Sequence, residues 1–220
     1  MGGASLAVLA WPVAWGAWEA QKADAVVTDL RFGRSLDASA VADGIDALNR
    51  SIVADPVERH YLDRSELLAG AALTASLKLP DADRDALLRR ARSDLQIGLA
   101  NAPARGIDWL RLATVREVLD GPSRDVLPPL FMSIETAPRI PQLWRARLRV
   151  ILDVWPYLDD QQRSRLGDYF LMTWRLRMNR QDLAAEIYTP ADELIVRYFL
   201  RNEPNAQEEL TKWLVASRKK

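Results

Sequence analysis

Ala91-Arg92-Ser93-Asp94-Leu95-Gln96-Ile97-Gly98-Leu99-Ala100-Asn101-Ala102-Pro103-Ala104-Arg105-Gly106-Ile107-Asp108-Trp109 is the stretch whose spacing decides the fold. Ala91, Leu95, Gly98 and Pro103 stand at offsets 0, 4, 7 and 12, and Trp109 follows six residues after the proline. Thirty-five residues on, the spacing returns as Val126, Leu130, Ser133, Pro138 and Trp144. A fainter copy lies upstream at Gly44, Leu48, Ser51, Pro56 and Leu62. The small residue lets two helices approach closely, the bulky one fills the gap beside it, and the proline stops the helix. Leu48, Pro56, Leu95, Gly98, Pro103, Trp109, Leu130, Ser133, Pro138 and Trp144 are therefore assigned structural roles.

A period near 34 residues, with a helix-ending proline and a Trp opening the next helix, is the tetratricopeptide signature. The prediction is all-α: a degenerate tetratricopeptide-like helical solenoid with a C-terminal helical cap and an N-terminal hydrophobic anchor helix. The copies are imperfect. Ala113 stands where glycine is expected, Arg147-Leu148 replaces Leu-Gly, and the first two copies lie 47 residues apart.

The rest of the chain supports helices. Asp63-x-x-Glu66 and Asp159-x-x-Gln162 read as capping boxes, and Thr189-Pro190 as an N-cap with proline at the first helical position. Ser123 is a further N-cap, Pro128-Pro129 reads as a helix start, and Arg218-Lys219-Lys220 as a solvated helix end. No segment alternates with period two, so no strand is expected. The expected organisation is an anchor or signal-like segment over 1–20, a linker helix over 21–34, the repeat domain over 35–178 and a helical cap over 179–220.

Residues Gly2 to Trp18 carry no charge, and Trp11, Trp15 and Trp18 share a helical face. A single membrane anchor is the leading reading, with a cleaved signal or a packing helix as alternatives. Lys22, Arg31 and Arg34 follow the segment and by the positive-inside count favour a cytoplasmic body.

Composition narrows the chemistry. Lysine plus arginine equals aspartate plus glutamate at 30 each, so no nucleic-acid footprint is expected. Cysteine is absent, which removes disulfides, thiolate zinc sites and cysteine nucleophiles. The single histidine, His60, is placed in a surface turn, with no second ligand for a metal. Asp81, Asp83, Asp159 and Asp160 sit where helices begin, so capping outweighs acid–base work. Glu135 is the acid least like a cap and the only candidate for a glycan-processing enzyme. No catalytic, cofactor or metal residue is assigned. Arg145, Arg147 and Arg149 read as solvated or paired with carboxylates. Arg145, Arg149 and Arg163 with Trp155 and Trp174 form a candidate surface for a partner protein or an acidic glycan.

Three elements carry a likeness to a known family: Leu99-Ala100-Asn101-Ala102-Pro103, Trp109-Leu110-Arg111-Leu112-Ala113 and Leu152-Asp153-Val154-Trp155-Pro156-Tyr157-Leu158-Asp159. Over roughly residues 35–175 the chain resembles the VpsP-type proteins, which are small, tetratricopeptide-like and membrane-anchored. The resemblance implies a non-enzymatic accessory role beside bacterial exopolysaccharide biosynthesis and export, with protein components of that assembly as partners. It also implies a single-pass inner-membrane protein whose body faces the periplasm. The periplasmic side is the expectation, against the charge count.

Overall fold

The computed structural model describes residues 3–74, 77, 79–176 and 180–217, with side chains from residue 10 onward. The expected roles of Arg218, Lys219 and Lys220, and the boundary at 178/179, lie outside these residues. Among the described residues the chain is all-helical with no strand. The helices are α1 (Gly3–Gln21), α2 (Asp24–Arg31), α3 (Ala38–Ala54), α4 (Glu58–Leu73), α5 (Asp81–Asn101) and α6 (Gly106–Asp120). They continue with α7 (Leu127–Thr136), α8 (Pro141–Val154), α9 (Asp160–Arg175), α10 (Arg180–Ala184), α11 (Pro190–Phe199) and α12 (Ala206–Ser217).

Helix boundaries follow local chemistry. Asp159 and Gln162 form a reciprocal capping box at the head of α9, with bonds of 2.8 and 3.0 Å. Thr189 and Asp192 do the same for α11, and Pro190 opens that helix. Pro128 and Pro129 sit in the first turn of α7, where a missing N–H leaves no intrahelical bond unmade. Asp63 and Glu66 depart from expectation, because α4 begins at Glu58 and both acids lie inside it. They serve as ion-pair acceptors: Arg31 meets Glu66 at 2.7 Å and Asp63 at 3.3 Å. Ser123 precedes a 3-10 turn and makes no side-chain cap.

The chain divides into two compact units, Met1–Val115 and Arg116–Lys220. In the first unit the small residues mark close approaches. A Cβ on Gly44 would lie 2.7 Å from Val26 Cγ1, and one on Gly98 would lie 2.5 Å from Leu62 Cδ2. Around these contacts lie Ala23, Val26, Leu48, Leu67 and Leu95, all buried. Arg64 grips the buried Asp94 with two bonds of 2.6 and 2.7 Å and donates to Asn49, joining α3, α4 and α5.

His60 is buried, contrary to the surface turn expected for it. Its Nδ1 lies 2.9 Å from Asp55 O and 2.8 Å from Ser51 Oγ. Ser51 donates its own proton to Gly16 O at 2.7 Å, so the imidazole is the donor to both oxygens. Ser51 and His60 are thus a structural bracket across the end of α3, with both protons directed at oxygens of the fold. The same region holds α1 in place: a Cβ on Gly16 would be 2.7 Å from Asp55 Cβ, and Glu19 pairs with Arg50 at 2.9 Å. Among the described residues no helix is long and apolar enough to cross a membrane.

In the second unit Arg147 overturns its expected place on a solvated face. It is fully buried in α8, and all five of its N–H groups are used. They reach Ser133 Oγ at 3.1 and 2.8 Å, Ser133 O at 2.6 Å, Ala137 O at 2.8 Å and Tyr169 Oη at 2.9 Å. The Ser133 and Ala137 carbonyls lie at the C-terminal end of α7, where unpaired carbonyls and the helix dipole favour a cation. Trp174 is also buried, its ring stacked 6.1 Å from that of Phe170, and offers no outward surface.

The two proline–tryptophan steps share one local bond. Trp109 Nε1 donates to Pro103 O at 2.8 Å, and Trp144 Nε1 to Pro138 O at 3.3 Å. Pro56, Pro103 and Pro138 each follow a helix end by two residues. Leu130, Ser133 and Trp144 are buried, whereas Trp109 is half-buried.

Candidate functional site

The second unit contains an open cleft of about 610 Å³ between α9 and α11. Its α9 wall is built from Asp160, Arg163, Ser164, Gly167, Asp168 and Leu171, whose spacing puts them on one helical face. Leu194, Ile195, Tyr198 and Phe199 supply the α11 wall, and Arg201 and Asn202 close one end. Gly167 permits the narrow floor, because a Cβ there would lie 3.0 Å from Phe199 Cδ1. Trp155, in the 3-10 turn Trp155–Tyr157, stands edge-on to Phe199 at 5.2 Å and to Tyr198 at 6.2 Å.

Two guanidinium groups lie over these rings. Arg163 sits 5.4 Å from the Trp155 ring centroid, and its Nη1 pairs with Asp160 at 3.2 Å. The Arg163 Nε is buried and has no hydrogen-bond partner among the described residues. Arg201 lies 4.0 Å from the Tyr198 ring centroid and donates to Tyr198 O at 2.7 Å. Leu194 and Tyr198 keep 69% and 49% of their surface exposed, so the cleft offers apolar area as well as polar groups. Such a surface suits a ligand with an apolar ridge and polar edges.

Of the five residues assigned to a partner surface, the structure brings Trp155 and Arg163 together in this cleft. Arg145 and Arg149 point elsewhere: Arg145 pairs with Glu186, and Arg149 with Asp153 and, at 3.2 Å, with Asp192. Trp174 is in the core. Glu135 is exposed at its ion pair with Arg165. Tyr198, Arg201 and Asp168 had no sequence signal as site residues, because only the packing of α11 on α9 sets them around Trp155.

A second group was also missed. Glu117 lies beside Asp153, with one buried carboxylate oxygen lacking a hydrogen-bond partner among the described residues. Burial, reinforced by the neighbouring Asp153 carboxylate, pushes the Glu117 carboxyl up to about 7, against the pull of Arg149. Asp192 goes the other way: the guanidinium of Arg149 and the amides of Tyr188 and Thr189 hold it below its usual range, outweighing burial. Among the described residues no group of three or more histidine, aspartate or glutamate side chains is placed to hold a metal ion. No family model matches the chain, and no curated protein or solved structure matches it.

Proposed function

We propose that this protein is a non-enzymatic scaffold or accessory protein of a bacterial envelope polysaccharide assembly, gripping a partner protein through its helix faces. The observation that carries this reading is the α9–α11 cleft. It pairs exposed Leu194 and Tyr198 with a mixed rim of Arg163, Arg201, Asp160 and Asp168, as a groove for an amphipathic protein segment requires. The tetratricopeptide-like solenoid belongs to the same proposal, supported by the Trp-to-Pro carbonyl bond found at both Trp109 and Trp144. The exopolysaccharide setting and a periplasm-facing body at the inner membrane rest on the VpsP-type resemblance.

The test is co-purification of the tagged chain from gently solubilised native membranes, beside a Leu194→Glu/Tyr198→Glu variant. Stoichiometric recovery of a polymerase, chain-length or export component, lost in the variant, is the expected result. Recovery of the protein alone defeats the reading. A phosphatase fused after Lys220 reports the side: activity places the body outside the cytoplasm, and a stable but inactive fusion reverses the assignment.

Glycan binding is the second reading, favoured by the aromatic rings of Trp155 and Tyr198 among arginine, aspartate and Asn202. Saturable heat on titration with an acidic polysaccharide, lost in Trp155→Ala, would establish it.

A further inference from the structure

The first unit leaves a stretch of helix largely uncovered, touching it at Ala14, beside Arg59 and His60, and at Trp15, beside Arg50 and Val53. Six consecutive residues of α1, Ala10 to Trp15, are all exposed, including Trp11 at 66%, Val13 at 54% and Trp15 at 40%. One turn takes about 3.6 residues, so exposure over this length leaves apolar side chains open on more than one side of the helix, most fully at Trp11 and Val13. None of these residues is charged, and the uncharged run extends over Gly2–Trp18. A groove in a partner, or a second copy of the chain, covers one face of such a helix. A helix apolar all round is covered fully only by an apolar surrounding. We propose that the Ala10–Trp15 segment of α1 is immersed in one leaflet of a lipid bilayer, with lipid as its partner.

The order of residues along α1 fits this placement. Trp11, Trp15 and Trp18 form a ladder with ring centroids 6.0 and 4.8 Å apart. The Lys22 ammonium lies 3.5 Å from the Trp18 ring centroid at its charged end. Indole followed by a basic group is the sequence expected on leaving the hydrocarbon for the headgroups. From Gly16 the helix is committed to protein, through the Ser51 bond to Gly16 O and the Glu19–Arg50 pair. Ala10–Trp15 rises about 9 Å at 1.5 Å per residue, against the roughly 15 Å that is half of the hydrocarbon core, so this part of α1 fits within one leaflet. Lys22 and Arg50 share Glu19, Arg59 pairs with Asp63, and Asp24 and Asp55 lie close by, so the patch has no excess of cation. Attachment therefore rests on burying indole rings and needs no anionic lipid.

The experiment mixes the full chain with vesicles of phosphatidylcholine alone and follows flotation. Tryptophan quenching by lipids brominated at different acyl depths then reports position. The expected result is co-flotation, with quenching strongest for bromines near the headgroup end. A Trp11→Ser/Trp15→Ser/Trp18→Ser variant should lose roughly a hundredfold or more in partitioning. Its far-UV circular dichroism should stay unchanged, because the substituted rings lie outside the core. Failure of the unaltered chain to float, or equal flotation of the variant, overturns the proposal. So does flotation that appears only with anionic lipid and vanishes in salt. A dimer in light scattering that the variant dissolves, without vesicle binding, assigns the segment to a second copy instead. Only lipid is present, so the outcome is separate from that of the scaffold reading.

Discussion

Arg147→Met is the perturbation that tests the physical account of the second unit most directly. Methionine nearly matches the length of arginine but donates nothing, so Ala137 O and Tyr169 Oη lose their described partner and Ser133 O keeps only its helix-end bond from Ala137 N at 3.1 Å. Each orphaned polar group costs about 1–3 kcal/mol. Against this, the native chain holds a buried guanidinium among neutral oxygens, and relief of that desolvation returns part of the loss. The balance is a destabilisation of roughly 2–4 kcal/mol, with Arg147→Lys at about half, since an ammonium offers three donors instead of five. The assay is urea unfolding of the full chain, with the denaturant slope checked for constancy. A coupled readout is the Tyr169 phenol, which burial already pushes up against the pull of Arg147. In Arg147→Met its titration should move further up. A methionine variant as stable as the unaltered chain would refute the reasoning, because desolvation would then outweigh all five bonds.

Glu117 gives a pH signature. Its carboxyl titrates near 7 in the folded chain against an ordinary value of 4.5, so the unfolded state gives up its proton first as pH rises. Stability from this group is present below about pH 4.5 and drains away up to about pH 7. After discounting for partial exposure, Glu117→Gln should gain about 1–2 kcal/mol at pH 8 and flatten the profile between these limits, read by thermal melts across pH. Gly98→Ala puts a Cβ 2.5 Å from Leu62 Cδ2 and 3.3 Å from Glu58 O, and a buried Leu62 has little room to yield. Clash minus the helix propensity gained leaves a net loss of about 1–2 kcal/mol, and an unchanged melting temperature would argue that α4 shifts freely. Trp109→Phe keeps most of the ring and loses the 2.8 Å bond to Pro103 O at a half-exposed site, so a loss of about 0.5–1 kcal/mol is expected from urea unfolding.

Features governed by local chemistry were legible. Pro190, Pro128 and Asp159 mark helix starts because proline and short acids act within one turn of where they stand. The glycines at 44 and 98 marked close approaches because the residue with no side chain is the one that admits a neighbour. Features governed by a distant partner were not. Arg145, Arg147 and Arg149 look alike in sequence, yet one is sealed under α7 while the others meet Glu186, Asp153 and Asp192. Asp94 and Asp108 look like ordinary helix acids and are buried only because Arg64, and Arg105 with Arg111, come to meet them. The cleft was half-legible: Trp155 and Arg163 lie eight residues apart across one turn, whereas Tyr198 and Arg201 arrive with α11.

The irregularities of the repeated pattern have a common cause. Where its small residue is serine, a buried polar side chain on the following helix takes both the serine oxygen and the carbonyl four residues on. His60 does so with Ser51 and Asp55, and Arg147 does so with Ser133 and Ala137. Where the small residue is Gly98, no hydroxyl needs a partner, and the apolar Leu62 closes the space. The position matching Arg147 in that copy is Leu112, also buried. On this account Arg147 in place of leucine is the counterpart of serine in place of glycine. Ser133→Gly alone strands two guanidinium bonds, and Arg147→Leu alone strands the serine and the helix end. The pair together rebuilds the Gly98–Leu112 combination, so its cost should fall short of the summed single costs by about 1 kcal/mol or more in a double-mutant cycle. Strict additivity would mean that the two departures are unrelated.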